Sequence, residues 1–585
     1  MTQPLEHSVA FDPRQAEQRR ARVILSALAL LLLLLAGRVV YINTALRGRL
    51  AALAEQQQHA TSRVPARRGM IVDVQGRTLA VTRQTPDVFI DPDAVEDLTD
   101  AAMKLAARLN VPVEAMLEEV RSRPGSRYVV IARQVDEVTA DAVRRLNVPG
   151  VGLADHALRN YPLGASMAHV LGFVGRDGLG LEGLELKYDE HLRGQDGRRV
   201  TIRDARRRAL GRATAPPRPP LDGGHVVLTL DAEVQRIAEE SLTRTVQEFG
   251  ARSGVAIVMS PATGDVLAMA VVPGFDPNDP GSGEPGARRN RAVTDPTEPG
   301  SAFKPIIACG ALDGGFVSLT EKIDCHNGVH YFGRRRVTDT SPQGMLNLTG
   351  VLIHSSNIGM GTIAQRMGND VLYQTVRRFG FGDPTGVELP GEDAGLVRPV
   401  HRWTSYSTNA VAIGYELAVT PLQLITAFSA IVNDGVLLEP RLVRRLLSAD
   451  GDVVGEFTGP EPVRRVVSID AARYMVNDAL VVVVEQGSAR HHVSSPYRIL
   501  GKTGTAKLPF ADRRGYEPGA YVSTFLGAAP APDPEITVLV MIRRPDPARG
   551  YYGSAVAAPA AGRIITGTLA YMGVAPAARL ASSGL

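Results

Sequence analysis

One stretch decides how this sequence is interpreted: Glu298-Pro299-Gly300-Ser301-Ala302-Phe303-Lys304-Pro305. A Pro-Gly turn precedes an apolar run, which predicts a helix with Ser301 at its start. Lys304 follows three residues later and is expected on the same helix face, one turn away. A serine becomes a nucleophile when a neighbouring base accepts its proton, and a desolvated lysine can be that base. A helix-capping serine beside a solvated lysine explains an isolated S-x-x-K more simply, so other motifs must decide.

A second candidate motif, Lys502-Thr503-Gly504-Thr505, lies in a strand predicted in the last third of the chain. A lysine and two hydroxyls on an exposed strand can hold a substrate carboxylate, and the glycine lets a substrate backbone approach closely. The backbone N–H groups of Thr505 and Ser301 form a candidate oxyanion hole. The alternative is an edge strand that its lysine protects from aggregation.

Between these two motifs lies a candidate S-x-N loop, Ser355-Ser356-Asn357. Such a loop can relay a proton to a leaving amine and hold a substrate amide. A second S-x-N occurs at Ser407-Thr408-Asn409. The first is preferred because the helix predicted over Ile358 to Met367 would fix its position.

Three polar residues near these motifs are predicted to have ordinary structural roles. Glu298 is read as an acid at a helix start in preference to a group that orients the site. Asp339 and Thr340, which precede the S-x-N loop, are read as ordinary loop residues.

The only strongly apolar run in the sequence is Val23 to Ile42, about long enough to span a hydrocarbon core. Arg38, near its outer end, can reach the interface. A cleaved signal peptide is the alternative, but no A-x-A-like cleavage site is evident, so an uncleaved anchor is preferred. Residues 1–22 are then a cytoplasmic tail, by the positive-inside rule. The arginines that support this orientation are Arg14, Arg19, Arg20 and Arg22.

The rest of the chain is predicted to form two domains and a tail. Residues 43–224 form an elongated N-terminal pedestal, which begins with a polar helical stalk over 43–62. Residues 225–576 form a C-terminal domain, and 577–585 form the tail. The boundary is placed after the proline-rich joint Ala213 to Pro220.

The predicted fold class is α/β of the α+β type. The C-terminal domain is expected to hold an antiparallel sheet, with strands from both ends of the domain and helices inserted between them. Its strands are predicted at Val255 to Met259, Val266 to Val271, Tyr497 to Ala506, Tyr521 to Ala529 and Ile536 to Ile542. Helices are predicted at Val95 to Arg108, Val113 to Arg121, Asp231 to Phe249 and Ala555 to Met572.

Composition excludes some classes of function. The net charge of +4 is too weak to indicate nucleic-acid binding. No cysteine and histidine pattern with zinc spacing occurs, so no metal is expected. Cys309 and Cys325 are predicted to be two buried thiols in preference to one disulfide. Lysine is rare in this arginine-rich chain, and two of its few lysines lie in the motifs above.

The order of the three motifs is decisive, because S-x-x-K, S-x-N and K-T-G in succession form the signature of penicillin-binding proteins and related β-lactamases. From about residue 67 onward the chain resembles the class B penicillin-binding proteins, and most closely their division-specific, septal type. Further boxes similar to those of this family are Arg68 to Asp73, Arg159 to Pro162, Gly180 to Glu185, Phe379 to Gly382, Leu389 to Glu392 and Thr420 to Gln423. Departures from the family pattern are Val74-Gln75-Gly76, Ala302 and Gly553-Ser554.

The resemblance implies a β-lactamase/transpeptidase-like C-terminal domain and acyl transfer at D-alanyl-D-alanine stem peptides. Ser301 would attack the penultimate D-alanine carbonyl, and β-lactams would acylate the same serine. It implies catalytic roles for Ser301, Lys304, Ser355, Asn357 and Lys502, and substrate binding by Thr503, Gly504 and Thr505. No cofactor is required.

The expected partners are stem peptides, β-lactams, a membrane glycosyltransferase and other divisome proteins. The expected location is the bacterial inner membrane, crossed once, with the catalytic domain outside the cytoplasm. Two alternatives remain open at this point. One is a D,D-carboxypeptidase or β-lactamase on the same fold, and the other is a non-enzymatic sensor or scaffold.

Overall fold

The computed structural model describes residues 13–50, 59–202, 218–457, 459–510 and 512–576. The chain forms two compact units, each treated by itself. One unit comprises Met1–Ala66 with Gln195–Leu221, and the other comprises Arg67–Gly194 with Asp222–Leu585. The predicted boundary at residue 224 stays a prediction.

The strands are, in chain order, β1 (His59–Val64), β2 (Ile71–Val72), β3 (Thr78–Ile90), β4 (Val129–Ala132), β5 (Val151–Asn160), β6 (Gly197–Ile202), β7 (His225–Leu228), β8 (Ser253–Met259), β9 (Val266–Val272), β10 (Ile323–Asp324), β11 (Val329–Phe332), β12 (Arg335–Thr338), β13 (Met345–Leu346), β14 (Leu396–Val397), β15 (Leu417–Ala418), β16 (Val436–Leu438), β17 (Val443–Leu447), β18 (Val453–Glu456), β19 (Pro462–Arg465), β20 (Leu500–Pro509), β21 (Tyr516–Ala529) and β22 (Ile536–Arg543). The α-helices are Pro13–Thr44, Leu98–Leu109, Val113–Arg121, Glu137–Leu146, Ala168–Leu171, Gly183–Lys187, Asp189–Arg193, Ala232–Glu248, Arg291–Thr294, Lys304–Asp313, Leu348–Ile353, Asn357–Arg378, Ser407–Ala412, Pro421–Val432, Ile469–Tyr474, Leu480–Gln486 and Gly553–Tyr571.

The first unit holds the apolar N-terminal helix. Its segment Glu17–Thr44 reaches a mean hydropathy of 2.6 and is, among the described residues, the one helix long and apolar enough to cross a membrane. The predicted span Val23 to Ile42 lies inside this helix. The predicted helical stalk is wrong in part: residues 47–50 are helical, 51–58 lie outside the described residues, and the following residues form β1. β1 pairs in antiparallel fashion with β6, a long-range ladder that overrides local helix preference.

A sheet in the second unit joins the N-terminal and C-terminal parts of the chain. Its strand order is β18-β17-β7-β2-β3-β4, with β5 also paired to β3. β2 from the N-terminal part runs parallel to β7, which opens the C-terminal part. Three helices, Leu98–Leu109, Val113–Arg121 and Glu137–Leu146, cover β3 and β4 around their own hydrophobic cluster.

The central sheet of the C-terminal part has the order β20-β21-β22-β8-β9, and every neighbouring pair is antiparallel. The predicted antiparallel sheet, with strands from both ends of the domain, is therefore confirmed. Asp231 caps the long helix that follows β7, since its side chain accepts hydrogen bonds from two backbone N–H groups of the first turn.

Both faces of this sheet are buried, because alternate side chains of each strand enter different hydrophobic clusters. One face packs against the helices Ala232–Glu248 and Gly553–Tyr571. The other faces Pro421–Val432 and shares a cluster with Lys304–Asp313. The helix that begins with Lys304 is thus fixed in the core. Cys309 and Cys325 are buried free thiols, as predicted.

Three sequence boxes of the N-terminal part meet in one buried ionic cluster. The Glu185 carboxylate, which has no exposed side-chain surface, accepts from Arg68 Nε at 2.6 Å and from Arg159 Nε at 2.7 Å. The Tyr161 hydroxyl donates to the same carboxylate at 3.2 Å. We call these four residues the Glu185 cluster.

Candidate active site

Ser301 lies in a 3-10 turn, Gly300–Phe303, which leads directly into the helix Lys304–Asp313. The turn is tied down on its N-terminal side: Gly300 N donates to Gly414 O at 3.0 Å, and Glu298 Oε1 accepts from Glu416 N at 2.9 Å. Reading Glu298 as a simple helix-start acid is therefore wrong, because its carboxylate orients the turn. Within the described part of the chain, the half-buried Ser301 hydroxyl forms no hydrogen bond.

Lys304 is fully buried and its amine points to the S-x-N loop. Its Nζ donates to the Ser355 carbonyl, to Ser355 Oγ at 3.2 Å and to Asn357 Oδ1 at 2.9 Å. All three acceptors are neutral. The first S-x-N motif therefore meets Lys304 directly, while Ser407 of the second donates to Glu416 from inside a separate short helix.

The S-x-N loop is held in a demanding conformation. Ser355 has a φ of 51°, in the left-handed region that serine rarely adopts, and it separates the helices Leu348–Ile353 and Asn357–Arg378. Ser356 caps the second of these helices by accepting from Gly359 N at 2.9 Å. Strain of this kind persists where the surroundings over-determine it, and it clusters at functional sites.

Asp339 supplies much of that support, and reading it as an ordinary loop residue is wrong. Its carboxylate accepts from Ser356 Oγ at 2.5 Å, from Asn357 N at 2.6 Å and from Ile358 N at 3.1 Å. It therefore anchors both the loop and the helix N-terminus behind it. The sequence carried only a weak indication of this role. A carboxylate often stabilises a helix start, but Asp339 lies 17 residues before Ser356 in the chain.

The K-T-G segment lies on β20, the edge strand of the central sheet, and packs against the Ser301 turn. A Cβ placed at Gly504 would come within 3.0 Å of Ala302 Cβ, so the glycine permits this approach. Thr503 Oγ1 bonds Ser488 Oγ at 2.7 Å, and Thr505 Oγ1 accepts from Gly553 N at 2.9 Å. The structure thus brings the predicted motifs of the triplet into one site.

Two buried lysines dominate the electrostatics of this site. Burial lowers the pKa of Lys304 well below its ordinary value, the charge of Lys502 lowers it further, and Asp339 acts in the opposite direction. Burial also lowers the pKa of Lys502 to about 8. Lys502 Nζ donates to the Thr503 carbonyl at 3.1 Å. No carboxylate lies within ion-pair distance of either amine among the described residues, so Lys304 is suited to accept a proton.

Comparison with known proteins agrees with this arrangement. Residues 254–566 match the penicillin-binding protein transpeptidase domain, and residues 63–228 match the penicillin-binding protein dimerisation domain. The chain is 33% identical over 560 residues to the peptidoglycan D,D-transpeptidase FtsI of Escherichia coli K12, covering 94% of this chain and 91% of that protein. It is 32% identical over 569 residues to the probable peptidoglycan D,D-transpeptidase PenA of Neisseria gonorrhoeae, covering 97% and 95%.

A solved structure is similar over most of the chain. Penicillin-binding protein 3 of Mycobacterium tuberculosis, in complex with aztreonam, superposes with a TM-score of 0.67 at 28% identity, covering 88% of this chain and 98% of that one. These matches show that the chain belongs to the penicillin-binding proteins. Within them it is of class B and of the septal type, and its N-terminal helix places it among single-pass membrane proteins.

Proposed function

We propose that the protein is a septal peptidoglycan D,D-transpeptidase that cross-links stem peptides through an acyl-enzyme on Ser301. The observation that carries this proposal is the fully buried Lys304 amine, one residue past the Ser301 turn and bonded to Ser355 and Asn357. The D,D-transpeptidase relatives support the same reaction.

In the first step, Ser301 Oγ forms a bond to the carbonyl carbon of the penultimate D-alanine. Its proton passes to Lys304 Nζ, whose depressed pKa makes the neutral amine available. The peptide C–N bond then breaks, and terminal D-alanine leaves with a proton relayed from Lys304 through Ser355 Oγ, 3.2 Å away. In the second step, an amine of a neighbouring stem peptide forms a bond to the ester carbonyl carbon, and the bond from that carbon to Ser301 Oγ breaks. A proton of the attacking amine passes to Ser301 Oγ and restores its hydroxyl.

Lys502, Thr503, Gly504 and Thr505 hold the substrate in this proposal. β20 is an edge strand, so an extended peptide can lie along it as an added strand. The Lys502 cation and the threonine hydroxyls attract the terminal carboxylate, which β-lactams also carry. The N–H groups of Ser301 and Thr505 stabilise the oxyanion.

We also propose the membrane, the orientation and the partners of the protein. The arginines before the apolar run Val23 to Ile42 favour a cytoplasmic N-terminus in the inner membrane and a periplasmic catalytic domain. The membrane glycosyltransferase and other divisome proteins are the proposed partners, in line with the division-related relative FtsI.

The test is the intact mass of the full chain in detergent after incubation with benzylpenicillin. We expect one adduct of the whole penicillin mass on the parent and on the exposed-loop control Ser282→Ala, and none on Ser301→Ala. An adduct that persists on Ser301→Ala would refute the assigned nucleophile. Consumption of penicillin without an adduct would indicate a hydrolase, and intact penicillin without an adduct would indicate a scaffold.

A further inference from the structure

A basic hairpin lies beside the S-x-N loop and takes no part in the proposed reaction. Strands β11 and β12 form it, and its turn and second strand carry Arg334, Arg335 and Arg336 in succession. All three side chains are exposed. In the described ranges of the chain, none of the three forms an ion pair. We call residues 329–338 the arginine hairpin.

The tip of the arginine hairpin borders a cleft of about 460 Å³. Tyr331, Phe332 and Arg334 line one side, and Gln365 and Tyr406 line the other. The Arg335 guanidinium lies 5.6 Å from the centroid of the Tyr406 ring. Unpaired guanidinium groups beside aromatic rings and a side-chain amide favour a planar anionic group such as a carboxylate.

The hairpin is fixed to the active site at its base. The Thr338 carbonyl accepts from Asn357 Nδ2 at 2.9 Å. The Phe332 ring packs so closely on Gly361, in the helix that begins at Asn357, that a Cβ there would come within 2.8 Å of the ring. At roughly 3.3 Å per strand residue, Arg336 lies about 7 Å and Arg334 about 13 Å along the chain from Thr338. Two to four residues of an extended peptide bridge the same distance.

The charge of Arg335 also reaches Tyr516, at the end of β20 and β21. Burial, chiefly, raises the pKa of Tyr516, and the positive charge of Arg335 acts against this rise. Tyr516 lies on β21 opposite Pro509 of β20, and its ring packs edge-on against Tyr415 at 5.9 Å. The Arg335 charge therefore acts near the end of β20 that follows the K-T-G segment by four residues.

We propose that the arginine hairpin binds carboxylates of the peptidoglycan stem peptide other than the terminal carboxylate assigned to Lys502. This inference rests on the proposed function. The carboxylates can belong to the donor peptide, which acylates Ser301, or to the acceptor peptide, which supplies the amine. The chemistry of recognition is the same, so the experiment has one arm for each source.

The donor arm compares two peptides that end in D-alanyl-D-alanine, one with an upstream glutamate and its twin with glutamine. The acceptor arm compares two amine-bearing peptides that differ in the same way, with the acyl-enzyme formed from the glutamine donor. The readout in each arm is the ratio of the rate constants for the glutamate and glutamine peptides. A ratio cancels any general loss of activity through misfolding. The proteins are the full chain, the triple variant Arg334→Gln/Arg335→Gln/Arg336→Gln and the distant exposed control Arg176→Gln.

We expect the parent and Arg176→Gln to prefer the glutamate peptide about tenfold in at least one arm, and the triple variant to lose that preference. The arm that changes identifies the donor or the acceptor. Equal ratios in the parent and the triple variant would overturn the inference, as would a parent without preference in either arm. A parent that neither penicillin nor peptide acylates would instead refute the proposed function.

Discussion

Two groups of charged side chains are buried in the second unit, and they are built in opposite ways. In the Glu185 cluster, one carboxylate accepts from two guanidinium groups and a hydroxyl, so each buried charge has an opposite charge beside it. In the active site, Lys304 and Lys502 are both buried, their amines donate to neutral oxygens, and their charges repel each other.

The difference separates structural from chemical use of a buried charge. A paired charge keeps its ordinary protonation state, and its loss leaves its partners unpaired. An unpaired buried amine is pushed towards its neutral form, which costs stability but creates a base. The Glu185 cluster therefore holds the N-terminal part together, whereas the two lysines are arranged for chemistry.

The largest expected effect is on reaction rate. Replacing Lys304 with methionine keeps an unbranched side chain as far as Cε and removes the base. We expect the rate of Ser301 acylation by benzylpenicillin to fall about 10³-fold. The acylated fraction is measured by intact mass spectrometry after the reaction is quenched at a series of times. The control is Lys104→Met, which replaces an exposed surface lysine.

Lys304→Met also has an expected effect on thermal stability. Lys304→Met removes an amine that is costly to bury, so its thermal unfolding midpoint should fall less than that of any variant that breaks the Glu185 cluster. A large loss of stability in Lys304→Met with little loss of acylation would reverse the roles assigned to the two groups.

The next largest effect is on folding. Glu185→Gln leaves the Arg159 guanidinium buried without its carboxylate and leaves Arg68 with Asp189 alone, which should cost about 3 kcal/mol of unfolding free energy. Thermal unfolding of the full chain in detergent measures this loss. The control is Glu485→Gln, which removes an exposed ion pair with Arg498 and should cost less than about 1 kcal/mol. Similar losses in both variants would show that the Glu185 cluster is no stronger than a surface pair.

A smaller effect is expected from pH. Lys502 has a pKa of about 8, so its cation is present below pH 8 and is lost above it. We expect acylation by benzylpenicillin to fall about tenfold per pH unit well above that value, because the cation no longer attracts the penicillin carboxylate. The two lysines interact, so the observed titration belongs to the pair.

The matched probe for this titration is benzylpenicillin methyl ester, which lacks the carboxylate. Its acylation rate should show no alkaline fall, apart from background hydrolysis measured without enzyme. The same alkaline fall for both compounds would mean that Lys502 does not act through the substrate carboxylate.

Sequence alone predicted the parts of the molecule that local pattern determines. The order of Ser301, Ser355 and Lys502 in their motifs indicated the site. Continuous apolar runs indicated β8, β9 and β22 to within a few residues. Contacts between distant segments could not be predicted from local sequence pattern. β1 was mistaken for a helix because its partner, β6, is more than 100 residues away. The parallel pairing of β2 with β7 was equally invisible.

Asp339 is the clearest case in the active site, because its role depends on a fold that brings it beneath the S-x-N loop. Its carboxylate gathers Ser356 Oγ and the N–H groups of Asn357 and Ile358. Asp339→Asn replaces one accepting oxygen with an amide nitrogen, so one of these hydrogen bonds is lost. A loss of about 1 kcal/mol of support corresponds to a roughly fivefold slower acylation by benzylpenicillin.

Asp339 also affects the protonation of Lys304. Among the described residues, Asp339 is the carboxylate whose charge raises the pKa of Lys304 against the effect of burial. Its removal should therefore shift the acid limb of the acylation profile to lower pH while the rate at its plateau falls. The exposed loop variant Asp383→Asn should change neither quantity. A slower plateau with an unmoved acid limb would mean that Asp339 acts only by holding the S-x-N loop, and a shift to higher pH would contradict its place in the electrostatics of the lysine pair.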